Sequence, residues 1–200
     1  MRNTLTLLES APRTAQTSAP VLDVLAERWS PRAFDPDAVL EAGALAGVFE
    51  AARWAPSASN TQPWRFIIAR RGTETFETIA ATLMGFNQMW AGSAAALVVN
   101  IAVTADAEGN PMPWAQYDLG QAVAHLSVQA HAEGLHVHQM GGFDRAAISA
   151  AFDLAESFVP TSVMTIGKLG DAAALPEALR EREVAPRVRL ALDEIVLLNN

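Results

Sequence analysis

From Trp114 to Glu133 the chain carries only two ionised side chains, Asp118 and Glu133. Within that stretch Leu119, Val123, Leu126 and Ala130 recur at helical spacing, and Gln121, His125 and Gln129 fall on the opposite side. One helix over the segment would be about 30 Å long at 1.5 Å per residue. A helix so poor in charge is unsuited to a surface facing water. It must be central to a domain or packed against a second subunit. Gly134 follows it as a natural left-handed stop.

The rest of the chain organises around this helix. A first helix is expected from about Pro20 to Arg28, with Val21, Leu22 and Leu25 turned inward; Pro31 keeps it from running further. Leu45, Val48, Phe49 and Ala52 mark a second. The polar loop PSASNTQP then leads into WRFIIA, which reads as a buried strand. A helix over about 73–84, the strand AALVVNIAV, the strand LHVHQM, a helix over 144–155 and the strand SVMTIGKLG complete the order. Residues 187–198 read as a final strand or tail. Strands alternate with helices, so the expectation is an α/β sandwich around a mixed sheet. Residues 1–19 read as a loose arm and 20–200 as one domain.

Composition excludes several function classes. Fourteen Lys and Arg against twenty-two Asp and Glu give a net charge of −8, the wrong sign for nucleic acid or an anionic membrane. Cysteine is absent, which removes disulfides, thiolate metal sites and cysteine nucleophiles. The most apolar stretch, 91–105, is shorter than the ~20 residues a bilayer requires. The N-terminus has no apolar core of a secretory signal, so the cytoplasm is the expected location. No GxGxxG, GxxxxGK[ST] or GxSxG motif is present. His136 and His138 share a strand face but lack an evident third ligand, so no metal is expected.

Three clusters could carry chemistry. Arg28, Trp29, Ser30 and Arg32 place two guanidinium forks around a hydroxyl, suited to phosphate oxygens; the alternative is two surface arginines paired with Glu27 and Asp35. Pro56, Ser57, Ser59, Asn60 and Gln62 offer hydroxyls and amides that suit a flavin's imide edge, or form an ordinary polar turn. Met140, Gly141 and Gly142 let backbone approach a flat ligand closely, or simply turn the chain.

In this order, RxSxR, PSxxNxQPW, the long helix ending in EGL, and GGFD resemble the nitroreductase family of flavin mononucleotide (FMN) enzymes, from about Val21 to Val196. The resemblance implies an α+β three-layer sandwich, a mixed central sheet flanked by helices, and an intertwined homodimer with FMN at the subunit interface. It implies that Arg28, Ser30 and Arg32 contact the FMN phosphate, ribityl chain and ring edge. Ser57, Ser59 and Asn60, with Gln62 beside them, match the family's second flavin segment. Asn87 matches a position facing the flavin, and Met140, Gly141 and Gly142 lie against the ring. Arg187 and Arg189 match a basic pair returning to the phosphate.

The implied activity is reduction of nitroaromatics, quinones or other small electron-poor acceptors by NADH or NADPH in a ping-pong cycle. No protein side chain is assigned as a catalytic acid or base. Trp90, Trp114, Phe86 and Phe143 are candidate aromatic walls or core residues. Two departures stand out: Gly141 where several members carry Glu, and Trp90 where they carry Lys. Relatives that dehydrogenate, dehalogenate or break down flavin, and a non-catalytic flavin-holding dimer, are the competing readings.

Overall fold

The computed structural model describes residues 13–41 and 43–199. Four strands form one sheet in the order β1-β2-β4-β3: β1 Trp64–Arg70, β2 Ala96–Val103, β3 His136–Met140 and β4 Phe158–Gly167. All three strand pairings are antiparallel, so among the described residues the sheet is not mixed. The alternation of strand and helix is real but was divided. β2 and β3 both run opposite to β4 and therefore parallel to each other, joined by a helix, with β4 inserted between them.

Helices cover both faces, giving the α+β three-layer sandwich. On one side α2 (Ala46–Arg53) and α4 (Ala115–Ala132) pack Leu45, Val48, Ala52, Leu119, Val123 and Leu126 against Val98, Met164 and Ile166. On the other, α3 (Glu74–Ala81), α5 (Arg145–Ala151) and α6 (Glu177–Val184) cover Leu97, Val99, Ile101 and Val163 with Phe76, Ile79, Ile148 and Leu179. β2 is buried along nearly its whole length, as a strand covered on both faces must be. Thr73 caps α3 through its hydroxyl, which accepts from the Phe76 N–H. That cap sets the helix start.

Several local expectations change. β1 is an edge strand, and Arg65 and Ile68 are exposed. α1 spans only Asp23–Glu27, and Val21, Leu22 and Leu25 are exposed, not inward. The periodicity marked an apolar surface that this one chain does not cover. α6 carries no apolar stripe beyond Leu179 and was not expected. Residues 187–198 contain one short helix, α7 (Leu192–Ile195), with no strand. The expected loose arm falls mostly on residues 1–12, outside the described residues. From Arg13 onward the chain is attached: Arg13 donates to the Ala185 carbonyl at 3.0 Å, and the Ala15 N–H donates to the Ala26 carbonyl at 2.8 Å. No helix among the described residues is long and apolar enough to cross a membrane.

Helix α4 buries Leu119, Ala122, Val123 and Leu126 within the chain. Its other face, with Gln116, Tyr117, Gly120, Ala124 and His125, is exposed and uncharged. The first alternative, a place in the domain's own core, therefore holds for one face, and the other face is left uncovered by this chain.

Candidate functional site

Arg28, Arg187 and Arg189 line one open cavity of about 920 Å³, together with Val21, Leu25 and Leu192. Burial, and then the neighbouring Arg189, push the Arg28 guanidinium below its ordinary value. Burial, then Arg28, Arg189 and Arg13, do the same to Arg187. No carboxylate among the described residues pairs with Arg28, Arg187 or Arg189 within 4.0 Å. Asp193 lines the same cavity but pairs with none of the three, and cations crowded together in this way favour an anion.

The three arginines are not equivalent. Arg187 Nη1 donates to the carbonyls of Arg13 at 2.6 Å and Ala26 at 2.5 Å, and Nη2 donates to that of Arg28 at 2.9 Å. Its fork is largely spent capping the end of α1. Among the described residues the Arg28 side chain makes no such bond. Ser30 is exposed and Trp29 half-buried, the latter beneath Arg13 at 4.0 Å. Arg32 is drawn elsewhere: its Nη1 lies 3.8 Å from the carboxylate of Glu183. The expected alternative partners, Glu27 and Asp35, do not pair with Arg28 or Arg32; Glu27 instead faces His131 at 3.9 Å.

The loop at 56–62 is unusual in its backbone. Ser59, Asn60 and Gln62 have φ of 51°, 57° and 48°, the left-handed region that costs non-glycine residues of order 1–3 kcal/mol. The surroundings enforce it. Ser57 Oγ accepts from the Gln62 N–H at 3.0 Å, and Gln62 Nε2 donates to the Asn60 carbonyl at 3.0 Å. The Ala58 N–H donates to Asp118 Oδ2 at 3.0 Å, fixing the loop to α4. Pro56, Ser59, Asn60 and Gln62 remain exposed and Ser57 half-buried. Conformations held at a cost recur at ligand clamps.

Asn87 and the glycine pair meet. Asn87 Nδ2 donates to the Gly142 carbonyl at 3.1 Å, and a Cβ on Gly142 would sit 3.1 Å from that same nitrogen. Gly141 and Gly142 are exposed, whereas Met140 is buried in the core. Met140 therefore offers a ligand its backbone and not its side chain. Trp90 is also core, stacked on Phe34 with ring centroids 6.1 Å apart and 4.6 Å from His138. Phe143 is buried beside it in the same cluster. Of the four candidate aromatic walls, only Phe86 and Trp114 are exposed.

One chain does not bring all three clusters together. The 56–62 loop is tied to α4 at Asp118, while α1 meets α4 through Glu27 and His131. Those anchor points are about 20 Å apart along the helix axis at 1.5 Å per residue. By contrast α6 links the arginine segment to the glycine pair. Glu183 holds Arg32, and Arg182 sits 5.1 Å over the Phe86 ring, next to Asn87. Sequence reasoning missed Glu183 as a partner, and the charge run REREV offers no signal for it. Asp118 had a signal, as the lone carboxylate early in an uncharged helix.

Burial lowers two histidines beside the arginine segment to about 4. His136 is depressed by burial and then His131; His138 by burial and then Arg32, opposed by its Nδ1 contact with the Pro31 carbonyl at 2.8 Å. An unfolded histidine titrates near 6.5. Between pH 6.5 and about 4 the unfolded chain takes up protons that the folded chain refuses. Stability from these groups is therefore full above pH 6.5 and is lost as pH falls to about 4. His138 accounts for up to about 3 kcal/mol of that loss at 1.36 kcal/mol per pKa unit. Thermal unfolding of His138→Gln from pH 7 to 4 should show a flatter slope than wild type. An unchanged slope would contradict the assignment.

Known proteins share this architecture. The nitroreductase family profile matches residues 25–87 and 73–168. A crystallised oxidoreductase described as containing FMN superposes with a TM-score of 0.86 at 37% identity, over 92% of this chain and 93% of that one. An uncharacterised 15.4 kDa protein of Mycolicibacterium smegmatis is 40% identical over 66% of this chain and 92% of its own length. The Bacillus subtilis protein YdgI, provisionally named an NAD(P)H nitroreductase, is 25% identical over 75% of this chain and 88% of its own. With the family profile matching most of the chain and the fold shared with the 37% identical oxidoreductase, the chain belongs to the nitroreductase family.

Proposed function

We propose that this protein is an FMN-dependent oxidoreductase that takes electrons from NADH or NADPH and passes them to a small electron-poor acceptor such as a nitroaromatic or a quinone. The observation that carries this reading is the cavity in which Arg28, Arg187 and Arg189 gather with no carboxylate of the described residues within 4.0 Å. Such a site fits the phosphate of FMN. FMN, when bound, supplies the redox chemistry itself.

The chain's own residues bind and orient. Arg28 and Arg189 hold the phosphate, with Arg187 bracing the end of α1. Ser30 is placed for the ribityl chain. Arg32 is assigned a lesser share of the phosphate, since Glu183 already offsets its charge. Gly141 and Gly142, kept free of side chains, allow a flat ring to lie on backbone. Asn87 fixes that backbone through the Gly142 carbonyl. The exposed hydroxyls and amides of Ser59, Asn60 and Gln62 suit the ring's imide edge.

The active unit is a homodimer. The 56–62 loop and the arginines lie at opposite ends of α4, so a single chain cannot close one site from both. Exposed Val21, Leu22, Leu25, Leu190, Ile195 and Leu197 supply the apolar surface that an obligate interface needs. The cytoplasm is the expected compartment.

Purified protein loaded with FMN and desalted should retain about one FMN per chain, as a built site would. Protein that retains none would remove the reading.

A further inference from the structure

Two carboxylates are buried among the described residues, Asp118 and Glu183, and each is 2% exposed. Asp118 secures the 56–62 loop. Glu183, near the end of α6, is used differently. Its Oε1 accepts from the backbone N–H of Arg32 at 2.9 Å and of Ala33 at 3.0 Å. Its Oε2 accepts from the Arg32 N–H at 3.0 Å and lies 3.8 Å from Arg32 Nη1. Burying a carboxylate is unfavourable unless its oxygens are satisfied, and here they are.

Four residues further on, Arg187 makes the second attachment, donating to the carbonyls of Arg13, Ala26 and Arg28. Residues 183–187 are thus fastened onto residues 26–33 at two points from opposite directions. Glu183 takes the N–H groups of one segment, and Arg187 takes its carbonyls. These segments are distant in sequence, yet both supply arginines to the same cavity. A negative charge beside a cluster that would receive an anion opposes binding. Its contacts to the Arg32 and Ala33 N–H groups and to the Arg32 side chain point to a geometric role.

We infer that Glu183 is a positioning residue that, with Arg187, locks the 28–33 segment and the 184–189 stretch in one register, so that Arg28 and Arg189 converge on the FMN phosphate. The inference rests on the FMN reading above.

The test compares FMN with riboflavin, which lacks the phosphate, by titrating each into the flavin-free dimer and following the quenching of flavin fluorescence. Glu183→Ala should lower the preference for FMN over riboflavin by about tenfold or more, the scale of one charge-assisted hydrogen bond, with riboflavin affinity nearly unchanged. Glu183→Gln keeps an oxygen at the Oε1 position and removes the charge. It should retain the wild-type preference or raise it. Glu183→Asp keeps the charge but withdraws the oxygens by one methylene, and should behave like the Ala variant. The Gln and Asp pair decides the matter if the Ala variant does not fold.

An unchanged or increased preference in the Ala and Asp variants would overturn the inference. Equal weakening of both flavins would do so as well, because it would mean a general loss of structure. Wild-type protein that fails to bind FMN, or that binds riboflavin equally well, would overturn the FMN reading itself and this inference with it.

Discussion

Arg28→Ala should weaken FMN binding by roughly 10- to 150-fold while leaving riboflavin affinity close to wild type. Hydrogen bonds to charged groups contribute about 1.5–3 kcal/mol each, and 1.4 kcal/mol is a factor of ten. Arg28 is the residue of choice because its guanidinium is half-buried in the cavity, crowded by Arg189 and, among the described residues, not paired with a carboxylate. Arg32→Ala should do less, because that side chain already faces Glu183. Added salt should imitate the Arg28 substitution in part, since the cavity is open to solvent and its charges are screened. The comparison of the two flavins isolates the phosphate. If Arg28→Ala weakens both equally, the residue serves the ring or the fold and not the phosphate.

A second large effect should come from mixing two impaired variants, assayed at FMN concentrations that fill wild-type sites but not damaged ones. Arg28→Ala disables the phosphate end of a site, and Asn60→Trp obstructs the loop end. In a dimer whose sites each take arginines from one subunit and the loop from the other, a mixed dimer has one doubly damaged site and one intact site. Random reassortment would make about half the dimers mixed, so activity should recover to roughly a quarter of wild type. Neither variant alone should approach that value. The basis is the ~20 Å along α4 that separates the loop anchor at Asp118 from the α1 contact at His131. Absence of recovery after verified subunit exchange would place both elements in one chain's site, contrary to the geometry described here.

What the sequence made legible depended on how local the determinant was. The stripe Leu45, Val48 and Ala52 named α2 correctly because its periodicity is a property of eight neighbouring residues. The charge-poor run at 114–133 named α4 to within one residue at each end. Strand direction was not legible in the same way. The insertion of β4 between β2 and β3 is a pairing of distant segments, and no local pattern reports it.

The site divides along the same line. The arginine spacing and the PSASNTQP loop could be read from short motifs, and the left-handed backbone at Ser59, Asn60 and Gln62 gives the loop a physical peculiarity. The division of labour among the arginines could not be read. Arg187 is spent on carbonyls, and Arg32 is held by a carboxylate 151 residues away. Trp90 shows an alternative that only distant contacts settle. Its place in a motif made it a candidate wall, but Phe34, brought from far upstream, stacks on it and buries it. The exposed side chains Val21, Leu22 and Leu25 were assigned to a core because periodicity reports an apolar face without reporting what covers it.

The most direct measurement is anaerobic reduction of the FMN-loaded protein by stoichiometric NADH, and separately by NADPH, followed in the visible flavin band. A flavin held by Arg28, Arg189 and the glycine pair in a catalytic site should bleach promptly with at least one donor. The colour should return when a quinone or nitroaromatic acceptor is added. A tightly bound flavin that stays oxidised with both donors would contradict the oxidoreductase reading and leave a protein that only holds its cofactor.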